Sequence, residues 1–167
     1  KRYIFASSIY VLSRQGGFYK ASKQSVENFI EEFNKKDKLN YTILRFGSVY
    51  GTDSGIKNGI KKLVLSALND KVITYGGTSK AERRFIHVED AVRALIAILN
   101  KKYNNKRVLI TGSKKIKIKR LIFLIKKILH LKKKVVFKRK AMMGHYDKNP
   151  FTDRPKKQLI YLAKPTI

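Results

Sequence analysis

Apolar positions recur along the chain with two different periods. RYIFAS (2–7) is a short, nearly unbroken apolar run and reads as a buried strand. Residues 17–36, GFYKASKQSVENFIEEFNKK, instead place Val26, Phe29, Ile30 and Phe33 on one face at helical spacing. YTILRF (41–46) is a second strand. A strand, a long helical crossover and another strand make the parallel βαβ unit of an α/β fold. After the small-residue loop GSVYGTDSG, the pattern predicts a helix over 58–69, a strand over 71–75, a turn at GGTSK and a strand-like stretch at Ile86 and Val88. A helix then runs from Glu89 or Asp90 to about 102, its acids at the positive end of the helix dipole. KRVLIT (106–111) reads as a strand, IKIKRLIFLIKKILHL (116–131) as a helix and KKVVFK (133–138) as a strand. All three prolines fall after residue 149, so the last eighteen residues are expected to be irregular.

The helix at 116–131 carries Ile118, Leu121, Ile122, Ile125 and Leu129 at helical spacing, with Lys119, Lys126 and Lys127 elsewhere on its surface. That pattern suits a core-facing helix or an anionic membrane surface. Its place between two strands favours the core.

A chain of 167 residues is long enough for one domain with a real core, burying roughly 70% of its unfolded surface. The absence of cysteine excludes disulfide scaffolds, thiolate zinc sites and cysteine nucleophiles. His87, His130 and His145 share no metal-ligand spacing. No apolar run is long enough to span a bilayer, and no leader-like stretch precedes the first strand, so a soluble cytoplasmic protein with no membrane partner is expected. The chain opens at Lys1 in mid-strand, and a preceding segment is expected in the complete protein. The net charge of +28 would suit a nucleic-acid partner, but the lysines are spread along the whole chain beside abundant Asn and Ile, with Arg in the minority. Biased residue usage explains that distribution better than a binding footprint, and no specific nucleic-acid partner is expected.

Tyr19 and Lys23 stand four apart at the head of the first helix, close enough for an ammonium to sit beside a phenol. Holding a phenolate at neutral pH takes roughly 4 kcal/mol, part of which a neighbouring cation can provide. Such a tyrosine could take a hydroxyl proton as hydride leaves the same carbon. Y-x-x-x-K alone is common and says little. Its neighbours say more: Ser7 and Ser8 close a strand whose carboxyl end is where parallel sheets bind ligands, and LRFGSVYG and RRFIHVEDA follow downstream.

Strand-SS, Y-x-x-x-K, LR-x-x-x-VYG and R-x-F-I-H-V-x-D, in that order over residues 2–112, resemble the extended short-chain dehydrogenase/reductase family, and within it the NAD-dependent nucleotide-sugar epimerases and dehydratases of the UDP-glucose 4-epimerase type. GHYDKNPF and RPKK in the tail are similar to the ends of some members. The resemblance implies that Tyr19 is the catalytic acid/base, that Lys23 binds the nicotinamide ribose and tunes the phenol, and that Ser8 hydrogen-bonds the reacting sugar oxygen. It further implies that Gly47 meets the nicotinamide through its backbone, and that Ser48, Asn58 and Arg83 contact the nucleotide sugar, Arg83 through its planar fork on the diphosphate. His87 and Asp90 are expected to be structural, with Asp90 capping the following helix.

The sequence departs from the family in three places. It lacks the glycine-rich G-x-x-G-x-x-G loop that holds a pyrophosphate. Ser8 and Tyr19 are only eleven apart, so VLSRQGG must turn compactly. Arg84 stands where relatives often carry an acid, and the tail stops at KPTI. The resemblance therefore implies an α/β fragment: residues 1–50 as the carboxyl-terminal part of a Rossmann-type doubly wound parallel sheet, and 51–167 mainly as a smaller α/β substrate domain with an irregular tail, with residues 84–102 returning to the first. NAD is the implied cofactor, with NADP left open. A nucleotide-diphosphate sugar is the implied partner, and the full-length protein is expected to allow a homodimer. An epimerase is favoured over a dehydratase because VLSRQGG offers no Asp-Glu pair beside the serine. A reductase of the same family, a non-catalytic remnant and a basic binding module remain the alternatives.

Overall fold

β1 (Arg2–Ser8) and β2 (Asn40–Phe46) lie side by side and parallel, with Ser7 opposite Arg45 and Ser8 opposite Phe46. The computed structural model describes residues 1–12, 16–138 and 159–163, the last as backbone; GHYDKNPF and RPKK lie outside the described residues. α1 (Gly17–Asp37) is the crossover between the two strands. β6 (Lys106–Gly112) continues the parallel sheet beyond β2, and β9 (Leu159–Ala163) lies parallel to β6, giving the order β1-β2-β6-β9.

The chain divides into two units. The first comprises Lys1–Val49, Phe85–Ser113 and Pro150–Ile167. On one side of its sheet, Leu44, Val108 and Ile110 pack with Ile86 and with Ala91, Ala94 and Ile98 of α3 (Val88–Ala97). A second cluster joins Ile30 of α1 to Tyr41 and Ile43, with Phe5 and Val26 at its margin. β2 is buried along nearly its whole length, as a central parallel strand covered on both faces must be.

The second unit comprises Tyr50–Arg84 and Lys114–Asn149. It holds α2 (Gly59–Asn69), α4 (Ile118–Ile128), the parallel pair β4 (Val72–Tyr75) and β8 (Lys134–Phe137), and the antiparallel pairing of β7 (Lys115–Lys117) with the first half, Glu82–Arg84, of β5 (Glu82–His87). Ile118, Ile122 and Ile125 of α4 are buried, the core-facing arrangement expected of that helix. β3 (Ser48–Tyr50) lies where the chain leaves the first unit for the second.

Four local features differ from the sequence reading. The tail expected to be irregular contains β9, because LIYLA supplies an apolar run that finds the open side of β6. α4 begins at Ile118 and not at 116, because KIK pairs with β5 and sets Lys117 opposite Glu82. α3 ends at Ala97, short of 102, and Asn100 caps a separate 3-10 turn, Lys101–Tyr103. Its amino-terminal cap is His87, whose Nδ1 accepts from the Glu89 amide at 3.4 Å. Asp90 lies inside the first turn, buried, and accepts from Arg93 Nη1 at 2.8 Å.

Candidate active site

In a parallel sheet every strand ends on the same side, so the register gathers Ser8, Phe46 and Ile110 in one row at the carboxyl edge. Ser8 is buried, and its Oγ accepts from the Tyr10 amide at 3.3 Å. That leaves its own O–H available as a donor. Tyr10 belongs to a 3-10 turn, Ile9–Leu12, that follows β1 directly. Between Ser8 and Tyr19, Gly16 and Gly17 lead into α1 at φ 120° and 48°. Only glycine adopts such values without strain, and a Cβ on Gly16 would stand 2.8 Å from that of Lys20.

Tyr19 follows in the first turn of α1, 53% exposed, its ring edge-on to that of Tyr10 at 6.0 Å between centroids. The Lys23 ammonium stands 6.0 Å from the Tyr19 centroid and 5.0 Å from that of Phe5, and it donates to the Ala6 carbonyl at 2.9 Å. Ala6 precedes the serines on β1, so this bond carries the lysine to the end of the sheet where Ser8 lies.

Gly47 and Ser48 follow β2. The Gly47 amide donates to the Ile110 carbonyl at 2.8 Å, and a Cβ there would stand 2.5 Å from Thr111 Oγ1, a residue with 1% exposure. Only a glycine lets the two strand ends approach so closely. Ser48 opens β3 and is half-buried.

Asn58 and Arg83 belong to the second unit. Asn58 caps α2, its Oδ1 accepting from the amides of Ile60 and Lys61 at 3.0 and 3.3 Å. Arg83 is half-buried on β5 opposite Ile116, and its Nη1 donates to the Glu82 carbonyl at 2.8 Å. Arg84 is opposite Lys115, on the other face of the strand.

The sequence reading missed a buried network beside this site. Glu27 accepts from the Ser7 hydroxyl at 2.5 Å, from Arg45 Nε at 3.0 Å and from Arg45 Nη2 at 2.5 Å, and all three residues are buried. One turn further along α1, Glu31 pairs with Arg107 of β6. A charged Arg45 flanked by Leu44 and Phe46 inside a strand was the available signal.

Parallel strands whose carboxyl ends face a Tyr–Lys pair on the crossover helix define a Rossmann-type α/β protein. The chain belongs to the NAD dependent epimerase/dehydratase family, whose pattern matches residues 7–111. It is 34% identical over 83 residues to a dTDP-D-glucose 4,6-dehydratase of Dictyostelium discoideum, a match covering 50% of this chain and 19% of that protein. Its fold is similar to UDP-glucuronic acid 4-epimerase from Bacillus cereus, solved with UDP-glucuronic acid and NAD (TM-score 0.76, 22% identity, 86% of this chain and 50% of that one). It is also similar to dTDP-glucose 4,6-dehydratase from Bacillus anthracis, solved with NAD (TM-score 0.75, 21% identity, 93% and 57%). The chain thus spans about half the length of these structures. Among the described residues no helix is long and apolar enough to cross a membrane.

Proposed function

We propose that this chain is part of a cytoplasmic NAD-dependent nucleotide-sugar epimerase that works through a transient keto-sugar. The observation that carries the reading is the Tyr19–Lys23 pair, one helical turn apart, with Lys23 bonded to the Ala6 carbonyl of the strand that ends in Ser8. NAD, when bound, would supply reversible hydride transfer at the sugar carbon. The residues here fit the nicotinamide end of such a cofactor: Gly47 offers a backbone with no side chain at the strand ends, and Lys23 a cation for ribose hydroxyls. No G-x-x-G-x-x-G loop for the pyrophosphate occurs in the sequence.

In this mechanism the Tyr19 oxygen takes the proton of the sugar hydroxyl and later gives it back. The ammonium of Lys23 stabilises negative charge developing on that oxygen. The Ser8 hydroxyl donates to the sugar oxygen as it becomes a carbonyl. Ser48 and Asn58 contact the nucleotide sugar, and Arg83 pairs with its diphosphate. The complete protein forms a homodimer through α1, where Phe18, Phe29 and Phe33 are 96%, 65% and 54% exposed on one helix face.

A dehydratase is the second reading, favoured by the Dictyostelium relative. Product analysis separates the two. With a glycine-rich half supplied ahead of Lys1, incubation with NAD and UDP- or dTDP-glucose is expected to invert a sugar carbon without loss of water. A 4-keto-6-deoxy product would identify a dehydratase, and no conversion of any nucleotide sugar would remove the enzymatic reading.

A further inference from the structure

Three polar side chains that this chemistry does not use are buried together where α1 meets the sheet. Ser7 and Arg45 are neighbours in register across β1 and β2, and Glu27 reaches both from α1. Their exposures are 4%, 7% and 4%. The carboxylate receives three hydrogen bonds, two of them from the fork of the guanidinium. Apolar residues could hold the helix down equally well, since replacing a buried ion pair by hydrophobic groups of similar size is often neutral. What the polar set adds is direction, because a fork and a carboxylate meet in one geometry.

Each member also adjoins the candidate site. Glu27 lies one turn beyond Lys23 and two beyond Tyr19 on the same helix face. Ser7 immediately precedes Ser8, and Arg45 stands two residues before Gly47.

We infer that Glu27 is a positioning residue: gripped by Ser7 and Arg45, it fixes the height and rotation of α1 on the ends of β1 and β2, and so aligns the Tyr19 phenol and the Lys23 ammonium with Ser8. The inference rests on the reading of Tyr19 as the acid/base.

The test is the paired substitution Glu27→Met with Arg45→Met, which fills the volume without charge. In the NAD-loaded enzyme, with the glycine-rich half supplied, kcat is expected to fall on the order of tenfold or more, because small misplacements of reacting groups are costly, while KM for the nucleotide sugar stays within about threefold. The melting temperature stays near that of the unaltered protein. A folded variant with unaltered kcat overturns the inference. If the unaltered protein turns over no nucleotide sugar, the functional reading has failed, and amide exchange on residues 1–167 then decides the inference alone. Residues 20–24 are expected to exchange about tenfold faster in the variant while β2 and β6 hold, and unchanged exchange there overturns it. Should the Met pair fail to fold, Glu27→Gln, which keeps the shape but loses the charge and one of the two acceptor oxygens that Arg45 uses, is judged by the same criteria.

Discussion

Lys23 places its ammonium 6.0 Å from the centre of the Tyr19 ring while bonded, at 2.9 Å, to the carbonyl of Ala6. Both contacts hold the lysine between the phenol and the end of β1. Lys23→Met keeps the length and apolar stem of the side chain but removes the charge. Turnover is expected to fall by about 100-fold, in the range usual for loss of acid–base assistance, while KM for the nucleotide sugar changes little. Turnover equal to that of the unaltered enzyme would dissociate Lys23 from the proton transfer.

Gly47→Ala tests the close approach of β2 and β6. The new Cβ would meet Thr111, which is fully enclosed and has nowhere to move. A loss of about 1–3 kcal/mol in urea unfolding is expected, the usual cost of overpacking. A stability equal to the unaltered chain would mean that the strand ends can separate without penalty.

Burial pushes the Tyr41 phenol above its ordinary value, and the Glu31 carboxylate adds to the effect, with Arg107 opposing. Because the folded state holds this proton more tightly than the unfolded chain, its stabilising contribution is complete below about pH 10 and is lost as pH rises from there through the folded value. Tyr41→Phe should therefore flatten the alkaline fall of the melting temperature relative to the unaltered protein. Parallel curves above pH 10 would contradict the assignment.

Arg83 and Arg84 provide an internal comparison, since the pairing with Ile116 and Lys115 sends them to opposite faces of β5. Arg83→Ala is expected to weaken nucleotide-sugar affinity by on the order of 2 kcal/mol, the scale of a lost charge-assisted pair. Arg83→Lys should recover part, keeping the charge without the fork. Arg84→Ala should be nearly silent in the same titration, and the reverse ranking would move the diphosphate contact to the other face.

Long periodic elements were legible in the sequence. The helix from Gly17 and the strand ending in Phe46 announce themselves by apolar spacing, and the structure places them within a residue or two. β7 and β9 were not legible, for physical reasons. KIK is three residues with one apolar side chain and becomes a strand only by pairing with Glu82–Arg84, while LIYLA sits among prolines and needs β6 as its neighbour. The His87 cap was misassigned to Asp90 because aspartate caps more often, whereas here its carboxylate is taken by Arg93. Individual motifs of the site could be read one by one. The Ser7–Glu27–Arg45 network could not, since its members are far apart in sequence and meet only through the parallel register.

Tyr19→Phe in the enzyme with its glycine-rich half supplied is the most direct measurement. The substitution removes one oxygen from a ring that is half exposed and leaves the contact with Tyr10 in place. If the phenol carries the proton of the sugar hydroxyl, kcat should fall by about 100-fold or more while KM for the nucleotide sugar stays within about threefold, because the lost interaction belongs to the transition state. Turnover equal to that of the unaltered enzyme would contradict the account.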